Sequence, residues 1–119
     1  TIARRDTREK MVISIDEDIT SYIKNLMNEI QNNLFDSAKK RVEELTFTAH
    51  NLTDVENIMK THPGFIKADW CGSEECELKM KEINGTKSRC ILENEKPIDG
   101  KCVVCGKAAK HLVVWGIQY

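Results

Sequence analysis

The chain has 119 residues, a formal charge of −1 and a pI near 6.3, which fits one small domain and excludes a strong polyanion-seeking field. Tight nucleic-acid binding by this chain alone is therefore not expected. An apolar content of 40% beside 31% charged residues is that of a water-facing globular protein, and no membrane partner is expected.

Taken in chain order, the first residues are β-compatible. Residues 1–5 and 10–14 flank Asp6, Thr7, Arg8 and Glu9, so the spacing predicts a hairpin. The chain starts at Thr1 rather than Met, and the expectation is a fragment of something longer whose opening hairpin closes a preceding domain. Arg4 and Arg5 fall on opposite strand faces; either is a candidate phosphate contact, or simply a solubilising charge.

Ser14 with Glu17 three residues on forms a capping-box pattern, predicting a helix from Ser14. Ile15, Ile19, Tyr22, Ile23, Leu26, Met27, Ile30, Leu34, Ala38, Val42 and Leu45 recur at helical spacing with no Gly or Pro between. They predict a rod of about 45 Å with one apolar stripe. The stripe packs either on the chain's own sheet or on a neighbouring domain. Residues 46–49 alternate weakly, and Thr53 with Glu56 reads as a second capping box for a short helix ending before Pro63 and Gly64. A strand over 65–70, a helix over 74–83 closed by Asn84 and Gly85, a strand over 87–92, a polar loop over 93–101 and a strand over 111–115 complete the order. The expected fold class is α+β: a long N-terminal helix, then a two-layer β-α-β-α-β-β domain pinned by a four-cysteine structural zinc site.

That site rests on Cys71 with Cys76 and Cys102 with Cys105. Two close pairs of thiolates suit a tetrahedral zinc ion, which takes sulfur at about 2.3 Å. The second pair is the sharper half: Gly106 and Lys107 follow Cys105, as in zinc knuckles, where glycine permits the turn that wraps N–H groups toward sulfur. Two disulfides, or cysteines that merely fill a core, are the alternatives. The cysteine count is five, odd, and no signal peptide or long apolar run is visible, so reduced thiols in a cytoplasmic setting are expected. Four protein ligands leave no open position, making the zinc structural, not catalytic. Cys90, among Arg89, Ile91 and Leu92, reads as a half-buried core residue. Trp70 and Trp115 read as core anchors. His50, His62 and His111 form no recognisable triad, and no catalytic residue is expected.

The string from Gly64 to Gly72 (GFIKADWCG), Cys76 with Glu77, Ser88 to Ile91, the run from Cys102 to Lys107, Lys110 with His111, Trp115 with Gly116, and Tyr119 at the end together resemble the C-terminal zinc-binding domain of prolyl-tRNA synthetases of the archaeal and eukaryote-like type. The opening Arg4 to Thr7 resembles the segment closing that family's anticodon-binding domain. Thr86, Lys87, Leu92, Ala108, Ile117 and Gln118 depart from the family's usual residues, none of them a cysteine of the two pairs. The resemblance implies that residues 1–14 end the anticodon-binding domain and 15–119 form the zinc-binding domain. It also implies a parent ligase, homodimeric, that joins proline to tRNA(Pro) with ATP and Mg²⁺ in a catalytic domain upstream. Within it this piece would be a structural and docking module, non-catalytic alone, packed on the catalytic and anticodon-binding domains. The carboxylate of Tyr119 would reach toward the active site. A different class, a self-standing zinc module binding RNA or protein, is the alternative.

Overall fold

A computed structural model describes residues 1–62 and 64–118. The chain divides into two compact units, Thr1–Glu43 and Glu44–Tyr119.

In the first unit, strands β1 (Ile2–Ala3) and β2 (Lys10–Met11) pair antiparallel, Ile2 opposite Met11. The intervening turn is closed by the Arg4 N–H to the Glu9 carbonyl at 2.8 Å. Helix α1 spans Ile19–Glu44, about 39 Å at 1.5 Å per residue. It starts later than the capping box at Ser14 predicted. The Ser14 hydroxyl is consumed locally, accepting from the Asp16 N–H at 3.2 Å. Asp18 instead accepts from the Ser21 N–H at 3.1 Å and hydroxyl at 2.6 Å, and a carboxylate there also meets the positive end of the helix dipole. The hairpin is tied to α1 by polar contacts: Arg4 donates to Asp6 at 2.9 Å and to Glu29 at 3.1 Å, and Asn33 donates to Asp6 at 2.8 Å.

The second unit runs β3 (Thr46–Thr48), α2 (Leu52–Thr61), β4 (Phe65–Trp70), α3 (Glu74–Glu82), β5 (Thr86–Ile91) and β6 (His111–Ile117). The sheet order is β3-β4-β6-β5, with β3 parallel to β4 and the other pairs antiparallel. The sheet is therefore mixed. The cap of α2 is Asn51, accepting from the Asp54 N–H at 2.9 Å, two residues ahead of the predicted Thr53. Asn51 sits in extended backbone, where its short amide reaches the free N–H groups of the first turn. Helix α3 has Glu74, Glu75 and Glu77 in its first turn and Lys79 and Lys81 in its last, matching its dipole. It stops at Asn84 and Gly85, both at positive φ, as predicted from residues suited to left-handed backbone.

Ile66 and Ala68 of β4 lie opposite Trp115 and Val113 of β6, so period-two alternation puts all four on one sheet face. Val55 and Met59 of α2 and Met80 of α3 join them in one buried cluster. Burying such a set is the main driving term for this unit, at roughly 1.5–3 kcal/mol per large apolar side chain. Trp115 is fully buried and Trp70 meets it edge-on, 6.2 Å between centroids. Cys90 departs from expectation. It is exposed, because β5 and β6 shift register between Ser88 and Cys90 and a bulge redirects the side chains beyond it.

Candidate metal centre

The cysteines reach one point from three segments. Cys71 follows the last residue of β4; Gly72 behind it has φ +89°, which turns the chain toward α3. Cys76 lies in the first turn of α3. Cys102 and Cys105 sit on a tight turn closed by the Cys102 N–H to the Lys107 carbonyl at 2.7 Å and the Gly106 N–H to the Cys102 carbonyl at 2.9 Å. A bridge between Lys101 and Ala108 forms the base of that turn, and Gly106 at φ +71° takes its left-handed position. Two main-chain bonds dock the turn on β4: Val103 N–H to the Asp69 carbonyl and Lys110 N–H to the Trp70 carbonyl, both 2.9 Å.

The four Sγ atoms all lie within 4.8 Å of one another. Cys71 and Cys76 are 3.7 Å apart, and Cys71 and Cys105 are 3.8 Å apart. These separations far exceed the about 2.05 Å of a disulfide. A zinc tetrahedron with bonds of about 2.3 Å has edges of about 3.8 Å, so the donor set fits that ion in both chemistry and spacing. Cys76 and Cys102 are buried, at 6% and 3% exposure, while Cys105 is exposed. The thiols differ accordingly. Burial pushes Cys76 well up, and burial also raises Cys102 against the pull of the Cys105 and Val104 N–H groups. The main-chain N–H of Lys107 lowers Cys105 to about 7. It is thus the backbone of Lys107 that acts on the sulfur.

Other candidate residues are elsewhere. Arg4 is ion-paired with Asp6 and Glu29, and Arg5 is exposed. Tyr119 lies outside the described residues. His50 contacts Asp99 at 2.6 Å, His62 contacts Thr61 at 2.8 Å, and the ring of His111 lies 6.0 Å from that of Trp70. No two of them converge on a nucleophile among the described residues. Sequence reasoning missed Asp69, whose carboxylate binds the loop ahead of Cys102; the position of Asp99 and Gly100 as a turn was the available signal. Among the described residues no helix is long and apolar enough to cross a membrane.

A small unit of mixed helix and sheet that carries a four-thiol cluster is the class that this fold and site define. Residues 52–119 match the family described as prolyl-tRNA synthetase, C-terminal, and the chain belongs to it. Over 99% of its length the chain is 46% identical to the proline–tRNA ligase of Clostridium novyi (strain NT), covering 24% of that protein. It is 40% identical to the ligase of Lachnoclostridium phytofermentans over the same shares, 99% and 24%. The crystal structure of prolyl-tRNA synthetase from Cryptosporidium parvum with halofuginone and AMPPNP superposes with a TM-score of 0.85 at 31% identity, covering 98% of this chain and 25% of that one. The chain thus spans 24% of the length of the curated relatives named here.

Proposed function

We propose that this chain serves as the zinc-holding C-terminal module of a proline–tRNA ligase, structural rather than catalytic. The observation that carries this reading is the convergence of four thiols to within 4.8 Å in a member of this family. Cys71, Cys76, Cys102 and Cys105 would hold one Zn²⁺, which when bound supplies four Zn–S bonds linking the end of β4, α3 and the knuckle turn. With every position filled by protein, that ion has no room for substrate. The finer fold reading, two layers with α2 and α3 on one sheet face, draws support from their shared cluster with β4 and β6.

The longer protein in this reading joins proline to tRNA(Pro), using ATP and Mg²⁺ in its catalytic domain, as a cytoplasmic homodimer. Residues 1–14 would close its anticodon-binding domain and 15–119 form the zinc-binding domain. The module's partners are those two domains; the exposed apolar residues of α1, Met27 at 60% and Leu34 at 54%, supply a face for such packing. The carboxylate of Tyr119 is the anchor toward the active site. Contact with tRNA phosphates falls to Arg5, which is exposed, more readily than to Arg4, which would have to leave Asp6 and Glu29.

The test is proline-dependent ATP–pyrophosphate exchange and tRNA charging by the longer protein, with and without this segment, and by the segment alone. The reading expects loss of charging on deletion and no activity from the segment alone. Undiminished charging after deletion, or tight salt-sensitive RNA binding by the segment, would replace it with the self-standing module.

A further inference from the structure

The loop that delivers Cys102 is shaped by a carboxylate on the neighbouring strand. Asp69, in β4, is only 3% exposed. Its Oδ1 accepts from the Ile98 N–H at 2.7 Å, and its Oδ2 accepts from the Asp99 N–H at 2.8 Å and the Gly100 N–H at 2.9 Å. Three successive N–H groups thus close round one anion, an arrangement that Gly100 permits by taking φ +69°. The main-chain carbonyl of Asp69 accepts from Val103 at 2.9 Å, next to Cys102. One residue therefore grips the loop on both sides of Lys101.

Burying a carboxylate is costly unless it is fully hydrogen-bonded. Here the cost is borne for a segment that adds little to the core, since Ile98, Asp99 and Gly100 are all exposed. What the segment does deliver is a sulfur. Asp69 stands two residues before Cys71 and Gly100 two residues before Cys102, so the carboxylate clamp sets the distance between the two cysteine-bearing backbones.

We propose that Asp69 is a positioning residue of the metal centre, its carboxylate holding 98–100 so that Cys102 meets Cys71 and Cys76 before any ion arrives. This rests on the zinc reading above. Groups behind metal ligands fix ligand geometry, and their loss typically lowers metal affinity by about 10–100-fold. Asp69→Asn keeps the size of the side chain but turns an amide N–H₂ toward N–H donors, so it breaks the clamp without removing a thiol.

The experiment measures Zn²⁺ affinity of the 119-residue chain by competition with a chromophoric chelator, with Co²⁺ spectra as a check on four-thiolate geometry. Asp69→Asn should bind about 10–100-fold more weakly while keeping the tetrathiolate Co²⁺ spectrum. Lys67→Ala, which removes the exposed tie from β4 to Glu95 at 3.1 Å, should leave affinity unchanged. Equal affinity in wild type and Asp69→Asn, or an equal loss in Lys67→Ala, overturns the inference while the zinc reading stands. No Zn²⁺ binding by wild type overturns both. Amide exchange on the metal-free wild-type chain covers a variant that does not fold: the Ile98, Asp99 and Gly100 amides should be protected, and free-loop exchange there overturns the inference directly.

Discussion

The Sγ atoms of Cys71 and Cys105 stand 3.8 Å apart although the residues are 34 positions apart in the chain. That gap matches the about 3.8 Å edge of a zinc–thiolate tetrahedron, and holding it without metal means crowding thiols of which two are buried. On the zinc reading proposed above, metal binding is linked to folding of the second unit. Cys102→Ser removes a ligand from a position 3% exposed. With free zinc near 1,000 times the wild-type Kd, the lost linkage is about 4 kcal/mol, and at about 4–8 °C per kcal/mol for a domain this small melting should fall by roughly 15 °C or more. Calorimetry with and without chelator checks it: chelator should lower wild type toward the variant and leave the variant unmoved.

His50 should titrate high. Its Nδ1 lies 2.6 Å from Asp99 Oδ2, and that hydrogen bond, then the Asp99 charge, raises its pKa above the ordinary 6.5. A raised folded-state value means the pairing stabilises fully below the unfolded pKa and is lost as pH rises through the folded one. Proton NMR should place the His50 midpoint above 6.5, and Asp99→Asn should return it toward 6.5. The stability gap between wild type and Asp99→Asn should narrow from pH 5.5 to pH 8.5. A His50 midpoint indifferent to Asp99→Asn would contradict the pairing.

Asp6 behaves oppositely. The Arg4 guanidinium, helped by Asn33, holds its carboxyl well below the usual carboxylate range. A depressed value contributes stability above the unfolded pKa, near 3.9, that is lost as pH falls through the folded one. Arg4→Ala should thus shift the acid unfolding of the first unit to higher pH, followed by helix ellipticity between pH 5 and pH 2. An unmoved midpoint would mean that the ion pair contributes nothing.

Gly64 is required for space. A Cβ there would stand 2.2 Å from the Leu45 carbonyl oxygen, which accepts the Phe65 N–H at 2.8 Å where β3 and β4 begin to pair. The clash is with backbone, which has no rotamer to move. Gly64→Ala should cost about 1–3 kcal/mol, read as a lower urea midpoint with the slope retained.

Local chemistry and the pairing of the metal-ligand candidates were legible in the sequence, and most other long-range geometry was not. The spacing of Cys71, Cys76, Cys102 and Cys105 announced their cluster, and Asn84 with Gly85 marked the end of α3. The starts of α1 and α2 were misplaced because several residues competed as caps: Asp18 prevailed over Ser14, and Asn51 over Thr53. Cys90 was misread because alternation assumes an unbroken ladder, and the register shift in β5 has no mark in one sequence. The Asp69 clamp joins residues 29–31 positions apart; the turn at Asp99 and Gly100 marks one end of it, but main-chain N–H donors leave no side-chain pattern that points to Asp69.

The most direct measurement is metal content per chain by elemental analysis of freshly purified, reduced protein, with a thiol titration alongside. Near one zinc, with four thiols protected and exposed Cys90 reacting at once, is the predicted result. No zinc and five freely reactive thiols would contradict it.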